Sequence, residues 1–173
     1  IIGCVGRLDP QKNPLFAVEI ARQLCLLDSS VHVVFIGDGE LRTQVADAIE
    51  NAHLTERVHL LGARDDVNQW YSAFDCLMMP SLFEGLPFVL VEAQAAGLSC
   101  VVSTEVSLDA NITGLVEYVP LRESAQEWAQ NILRACQKPR HDVSQKLIES
   151  GYSIEDTVKD VTAIIESAFE ETR

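Results

Sequence analysis

Val31-His32-Val33-Val34-Phe35-Ile36-Gly37-Asp38-Gly39 is the stretch on which the fold turns. Its run from Val31 to Ile36 is β-branched and almost wholly apolar, and Gly-Asp-Gly closes it. A strand that does not alternate apolar with polar is buried on both faces, the condition of a parallel sheet. Working outward, Ile1–Gly6 reads the same way and ends at Arg7-Leu8-Asp9-Pro10. Between the two, Asn13-Pro14 sets an N-cap and a first-turn proline, opening a helix to about Leu27. After Gly39 a helix from about Glu40 to Ala52 is followed by a third strand at Arg57–Leu61 and a short helix at Asp65–Phe74. Cys76–Met79 is a fourth strand stopped by Pro80, and Leu86–Ala96 a helix stopped by Gly97. Cys100–Val102 and Leu115–Val119 complete the strands. From about Ser124 onward the chain reads as helical. Its last helix opens on Ser153 and Asp156, spaced as in a capping box, and sets Ile154, Val158, Val161, Ile165 and Ala168 on one face. Strand and helix in repeated alternation predict one α/β domain over residues 1–173, a Rossmann-like doubly wound parallel sheet of about six strands.

The composition agrees. Apolar residues are 47% and charged ones 23% of 173 residues, enough for a proper core and too much for a disordered tail. Thirteen basic and 26 acidic residues leave a net charge of −13, shared by both halves, which excludes nonspecific binding to nucleic acid. An anion bound here must be held by local geometry. The five cysteines are odd in number, scattered, and without CxxC or zinc-ligand spacing, so they read as core thiols of a reducing, cytoplasmic compartment. No segment approaches the ~18 continuous apolar residues of a membrane span. Ile1-Ile2-Gly3-Cys4-Val5 opens without Met or a basic leader, as expected of a piece cut between domains.

In a doubly wound sheet, ligands sit outside the carboxyl ends of the strands, so the loops there carry the chemistry. In the first, Gly6 allows close approach to the backbone, Arg7 offers a fork for two phosphate oxygens, and Lys12 adds a point charge at a helix mouth. The bland alternative pairs these cations with Asp9 or Glu40, and on these residues alone the two readings stand level. The loop Pro80–Pro87 is more distinctive. Gly85 can turn the chain and Pro87 can open a helix, leaving the amides of Gly85, Leu86 and Phe88 free to cradle a diphosphate. Glu84 precedes that helix and Glu92 lies one turn beyond Phe88. Two carboxylates bracketing an anion site suit a ligand with hydroxyls at both ends. Other residues read as structural. Asp38 and Glu40 belong to a turn, His32, His53, His59 and His141 lack partner spacing, and only one of Trp70 and Tyr71 can face the core. Ser103-Thr104-Glu105 is a pocket edge.

Glu84-Gly-Leu-Pro followed by Glu92-Ala resembles the E-x7-E motif of retaining GT-B glycosyltransferases, particularly glycosyltransferase family 4. Gly6-Arg7-Leu8 with Lys12-Asn13 is similar to that family's donor-diphosphate loop, and the resemblance extends over essentially the whole chain. Ala93–Leu98 and Ala110–Leu115 are similar to bacterial transferases of capsular and exopolysaccharide assembly. The resemblance implies a C-terminal, donor-binding domain whose N-terminal acceptor domain is absent from this chain. Its partners would be a nucleotide-diphosphate-sugar, UDP- or GDP-linked, that missing domain, and an acceptor glycan or lipid-linked glycan. It implies that Gly6, Arg7 and Lys12 hold the diphosphate as it leaves, and that Glu84 with the Gly85-Leu86-Pro87-Phe88 backbone holds the transferred sugar. Glu92 would bind the ribose, and Ala63 and Arg64 would border the base. Arg7, Lys12 and Glu84 would be catalytic, with the donor phosphate as proton acceptor, and no metal or other cofactor would be needed. Localisation would be cytoplasmic, any approach to the inner face of the membrane belonging to the absent domain. Two other readings remain at this point. One is a different GT-B enzyme, a nucleotide-sugar epimerase or a phosphorylase; the other is a noncatalytic nucleotide- or partner-binding module.

Overall fold

Strands with continuous apolar runs need a cover on both faces, and in the computed structural model the helices between them provide it. The structure describes residues 1–170, with side chains as far as Ser167. The strands are β1 (Ile2–Val5), β2 (Val33–Ile36), β3 (Val58–Leu60), β4 (Cys76–Met79), β5 (Cys100–Ser103) and β6 (Val116–Val119). They form one sheet in the order β3-β2-β1-β4-β5-β6, and every neighbouring pair is parallel. The helices are α1 (Pro14–Leu27), α2 (Arg42–Asn51), α3 (Val67–Ala73), α4 (Phe88–Ala95), α5 (Ala125–Ala135), α6 (Ser144–Glu149) and α7 (Ile154–Glu170). This is the doubly wound, Rossmann-like sheet expected from the apolar runs.

Register divides each strand between two cores. Ile2, Val33, Phe35, Cys76, Met78 and Val101 face α1, α2 and α5, where Trp128 is fully buried. Val5, Val34, Ile36, Leu77, Met79 and Val102 face α3 and α4. Burial of a side chain such as Phe35 contributes roughly 1.5–3 kcal/mol. Gly3 is glycine because Phe74 lies flat on β1, and a Cβ there would come within 2.3 Å of its ring. Gly37 is more constrained still. With φ +135 its absent Cβ would stand 1.9 Å from the Gly6 carbonyl, so the loops after β1 and β2 close on one another.

The helical tail expected from about Ser124 is three helices, broken around Lys138-Pro139-Arg140 and Gly151, since proline cannot continue a helix. Four other sequence expectations change. Ser153 Oγ accepts from Asp156 N at 3.1 Å, which is one half of the expected capping box. The face of α7 bearing Ile154, Val158, Val161 and Ile165 is exposed, and the side chain of Ala168 lies outside the described residues. Asn13 adopts a left-handed conformation (φ 53) and makes no side-chain cap. Its N–H instead closes the 3-10 turn Pro10–Lys12 on the Pro10 carbonyl. His32 and His59 do have a partner, namely each other. Nδ1 of one lies 3.1 Å from Nε2 of the other, with rings nearly parallel at the edge of the sheet.

Arg140, in the segment between α5 and α6, ties together two helices that line the site. Its Nη1 donates to the Ala96 carbonyl at the end of α4 at 2.9 Å. Its Nη2 donates to the carbonyls of Tyr71, at 2.9 Å, and of Phe74 at the end of α3. A guanidinium on helix C-terminal carbonyls is favourable both as a charge-assisted donor and through the dipole. Arg140→Ala is expected to cost about 1–3 kcal/mol, read as a drop of several degrees in Tm.

Burial also sets an alkaline limit. It pushes the Cys4 thiol from 9.0 up to about 12, against a smaller opposing pull from Lys12, and raises Cys25 and Cys100 in the same direction. The folded state therefore holds protons that the unfolded chain releases. Stability from these groups is complete below about pH 9 and is lost as pH rises toward the folded values, by at most about 1.4 kcal/mol per pH unit for each thiol. The urea midpoint should fall steadily from about pH 8.5 to about pH 10.5.

Candidate functional site

The sheet order changes direction at β1, with β2 on one side and β4 on the other. The helices following β1 and β4 pack on opposite faces, so a crevice opens at their carboxyl ends. The loops around it are fastened by backbone bonds. Gly6 N donates to the Ile36 carbonyl at 2.9 Å, Gly37 N to Gly62 at 2.8 Å, and Leu8 N to Asp38 at 2.9 Å. Across the crevice, Leu82 N donates to the Gln11 carbonyl at 2.7 Å, and Gln11 Nε2 donates to the Phe83 carbonyl at 3.1 Å. Gln11 thus laces the first loop to the fourth.

Lys12 and Glu84 complete that lacing. Lys12 Nζ donates to Glu84 Oε1, and the two side chains are only 18% and 9% exposed. The first-loop lysine and the fourth-loop carboxylate, read separately in the sequence, form one ion pair spanning the crevice. Glu84 is itself fixed by its backbone, which bridges to Val106. Its N–H donates to the Glu105 carbonyl, at 3.1 Å, and its carbonyl accepts from Ser107 N, at 2.9 Å. Ser103 Oγ donates to the Ser81 carbonyl at 2.5 Å, so the fifth loop supports the fourth. Arg7 stands at the mouth with its side chain 74% exposed and Nη2 3.0 Å from Asp9 Oδ2. Asp9 also accepts from Lys12 N at 3.1 Å, capping the 3-10 turn. The pairing of Arg7 with Asp9 is the bland alternative realised, yet the guanidinium keeps its outer edge in solvent.

Pro87 stands just before α4, and the N–H groups of Gly85, Leu86 and Phe88 find no acceptor among the described residues. The expected row of free amides is present. Gly85, however, makes no left-handed turn, and a Cβ there would meet nothing within 4 Å. Its contribution is open space rather than chain reversal. One turn along α4, Glu92 lines a cleft of about 590 Å³ between α3 and α4, with Val5, Val67 and Val89 among its walls. Tyr71 donates its hydroxyl hydrogen to Glu92 Oε2 at 2.9 Å, and burial, with Glu92 adding to it, holds that phenol well above its usual range.

On the other side of Val5 and Val67 lies a shallower cleft of about 380 Å³ formed by Gly37, Asp38, Ala63 and Arg64. Arg64 is not freely solvated. Its Nε and Nη2 reach the two carboxylate oxygens of Asp66 at 2.7 and 2.8 Å, and its guanidinium lies 5.6 Å from the Trp70 ring centroid. That fork holds the Asp66 carboxyl below the ordinary carboxylate range. Crevice, cation–carboxylate bridge, free amides and two flanking clefts lie side by side at the carboxyl ends of the strands, an arrangement that would suit an extended ligand with a charged middle and hydroxyl-bearing ends. Among the described residues no three His, Cys, Asp or Glu side chains converge to hold a metal ion. None of the described helices is long and apolar enough to cross a membrane.

Of the residues singled out in the sequence, the structure places Gly6, Arg7, Lys12, Glu84 and Gly85 around the crevice, Glu92 in the α3–α4 cleft, and Ala63 and Arg64 in the shallower one. The sequence reading missed the lacing by Gln11, the bond from Tyr71 and the clamp by Arg140. No spacing rule ties a tyrosine to a glutamate on the next helix. The one available signal was the phenol itself, which burial obliges to find a partner.

Known proteins are similar to this chain in sequence and fold. The profile described as Glycosyl transferases group 1 matches residues 1–138. The protein EpsF of Bacillus subtilis is 35% identical over 163 residues, which is 91% of this chain and 42% of that protein. An Escherichia coli UDP-Gal:alpha-D-GlcNAc-diphosphoundecaprenol alpha-1,3-galactosyltransferase is 43% identical over 103 residues, 57% of this chain and 26% of that enzyme. Among solved structures, a mutant of S. aureus TarM in complex with fondaparinux, alpha-GlcNAc-glycerol and UDP superposes with TM-score 0.78 at 20% identity. It covers 94% of this chain and 34% of TarM. The chain thus spans less than half the length of these relatives. With the profile running through every strand and both site loops, the chain belongs to the group 1 glycosyl transferases.

Proposed function

We propose that this chain is the donor-binding, C-terminal half of a GT-B glycosyltransferase of family 4 that acts in polysaccharide or glycoconjugate biosynthesis. The complete protein transfers a sugar from a nucleotide-diphosphate-sugar to an acceptor hydroxyl with retention at the anomeric carbon. The observation that carries the reading is the Lys12–Glu84 bridge beside a row of unpartnered amides, at the strand-order switch of the sheet. An anion alone is poorly matched to a crevice with as many carboxylates as cations. A sugar diphosphate uses both kinds of group.

The diphosphate lies over Gly6 with Arg7 and Lys12 on its oxygens, and the amides of Gly85, Leu86 and Phe88 complete the cradle. An ammonium has three hydrogens, so Lys12 can keep Glu84 while donating to phosphate. Glu84 accepts from hydroxyls of the transferred sugar. Glu92 accepts from the ribose in the α3–α4 cleft, and the base lies against Ala63 and Arg64. In the reaction the bond from anomeric carbon to phosphate oxygen breaks, and the acceptor oxygen bonds the same face of that carbon. The acceptor's proton passes to the departing phosphate. Cations fixed where negative charge grows on the leaving group stabilise that transition state, and no metal is required. UDP accompanies two of the relatives described above, the enzyme whose donor is UDP-Gal and the TarM complex, which supports a UDP- or GDP-linked donor here. The acceptor, a glycan or lipid-linked glycan, approaches from the partner domain, on the cytoplasmic side.

Calorimetric titration of the chain with UDP, GDP and ADP tests the site. One nucleotide is expected to bind selectively, and the Arg7→Ala, Lys12→Ala double variant to weaken it at least about tenfold, since each removes charge-assisted bonds. Equal affinity in the variant would sink the reading. Gly85→Val is expected to leave Tm within a degree or two, because the position is open. It should weaken the nucleotide-sugar several-fold by filling the space above the amides.

A further inference from the structure

Tyr71 is 2% exposed, and its ring packs in the same core as Phe74, Leu90 and Ala93. Its backbone is pinned by Arg140, whose Nη2 donates to the Tyr71 carbonyl at 2.9 Å. The phenol is therefore fixed at both ends of the residue. Glu92 is different, standing on the exposed side of α4, where an unassisted glutamate samples several rotamers. Here Oε2 accepts from the fixed phenol at 2.9 Å, while Oε1 has no partner among the described residues. A carboxylate oriented before the ligand arrives loses less rotamer freedom on binding, and Glu92 lines the α3–α4 cleft.

We propose that Tyr71 is a positioning residue. Its hydroxyl turns the Glu92 carboxylate into the α3–α4 cleft so that it receives ribose hydroxyls, giving the site a preference for ribonucleotides over 2′-deoxyribonucleotides. This rests on the reading of Glu92 as the ribose carboxylate. The phenol adds a second constraint as well. Because it must donate to a carboxylate oxygen, it keeps that oxygen from turning back over the helix.

The test titrates the chain with UDP and GDP and with the 2′-deoxy form of each. For the nucleotide that binds, the ribose form should be favoured about tenfold, the value of one hydrogen bond to a charged acceptor. Tyr71→Phe keeps the ring and loses one oxygen. It should reduce the preference to about threefold or less by weakening the ribose form and leaving the deoxy form unchanged. Glu92→Gln should bring the preference near unity, and adding Tyr71→Phe to it should change nothing further. The unfolding midpoint of each variant, measured alongside, confirms that folded protein is compared. Parallel weakening of both nucleotide forms in Tyr71→Phe would make its role structural and overturn the proposal. So would an unaltered preference in Tyr71→Phe when Glu92→Gln abolishes it, and in that case the ribose reading of Glu92 survives. A preference that persists in Glu92→Gln, or no binding of any nucleotide by the unaltered chain, defeats the reading of the site and the proposal together.

Discussion

The crevice between β1 and β4 is the constraint on which everything else in this molecule depends. A chain that winds β1, β2 and β3 toward one edge and then returns to lay β4 against β1 must send α1 and α4 to opposite faces. The two central loops then separate at their carboxyl ends, and no backbone ladder can close the gap. Side chains close it instead, through Gln11 on the Phe83 carbonyl and Lys12 on Glu84. On the other side of the first loop, Gly37 stands so close to the Gly6 carbonyl that no Cβ would fit there.

Charge is handled locally rather than globally. The chain carries −13, yet its crevice holds cations, each already matched to an acid: Arg7 with Asp9, Lys12 with Glu84. Such pairing holds the cations in place on a chain whose net charge of −13 does not attract anions in general. For the ligand proposed above, selectivity would follow from the pairing: a simple anion would meet carboxylates beside both cations, whereas a ligand that also brings hydroxyl donors would satisfy both partners of each pair.

The inner strands were legible because they are apolar almost throughout, and burial on two faces leaves that mark in the composition of four or five consecutive residues, whereas the edge strands β3 and β6 carry His59 and Glu117. The site loops were legible because Gly, Arg, Lys and Glu cluster just where those runs stop. What escaped depends on contacts through space. His32 and His59 meet because β2 and β3 pair with Val34 beside His59, and neither residue's surroundings in the chain hint at it. Tyr71 and Glu92 meet because α3 and α4 share one face of the sheet. The break after α5 was within reach, since Pro139 marks it. The left-handed turn at Asn13 was not, because the same residue followed by proline is the usual sign of a side-chain cap.

Arg140 gives the architecture a direction in time. All six strands and every residue named in the crevice precede it in the chain, yet the guanidinium that bridges the carbonyls at the ends of α3 and α4 is that of Arg140. During synthesis from the amino terminus, the sheet can assemble and the loops can close before this guanidinium has left the ribosome. The cleft between α3 and α4 is then the last part of the ligand site to reach its final width, and a nascent chain that stops short of Arg140 has the chemistry of the site without its gauge.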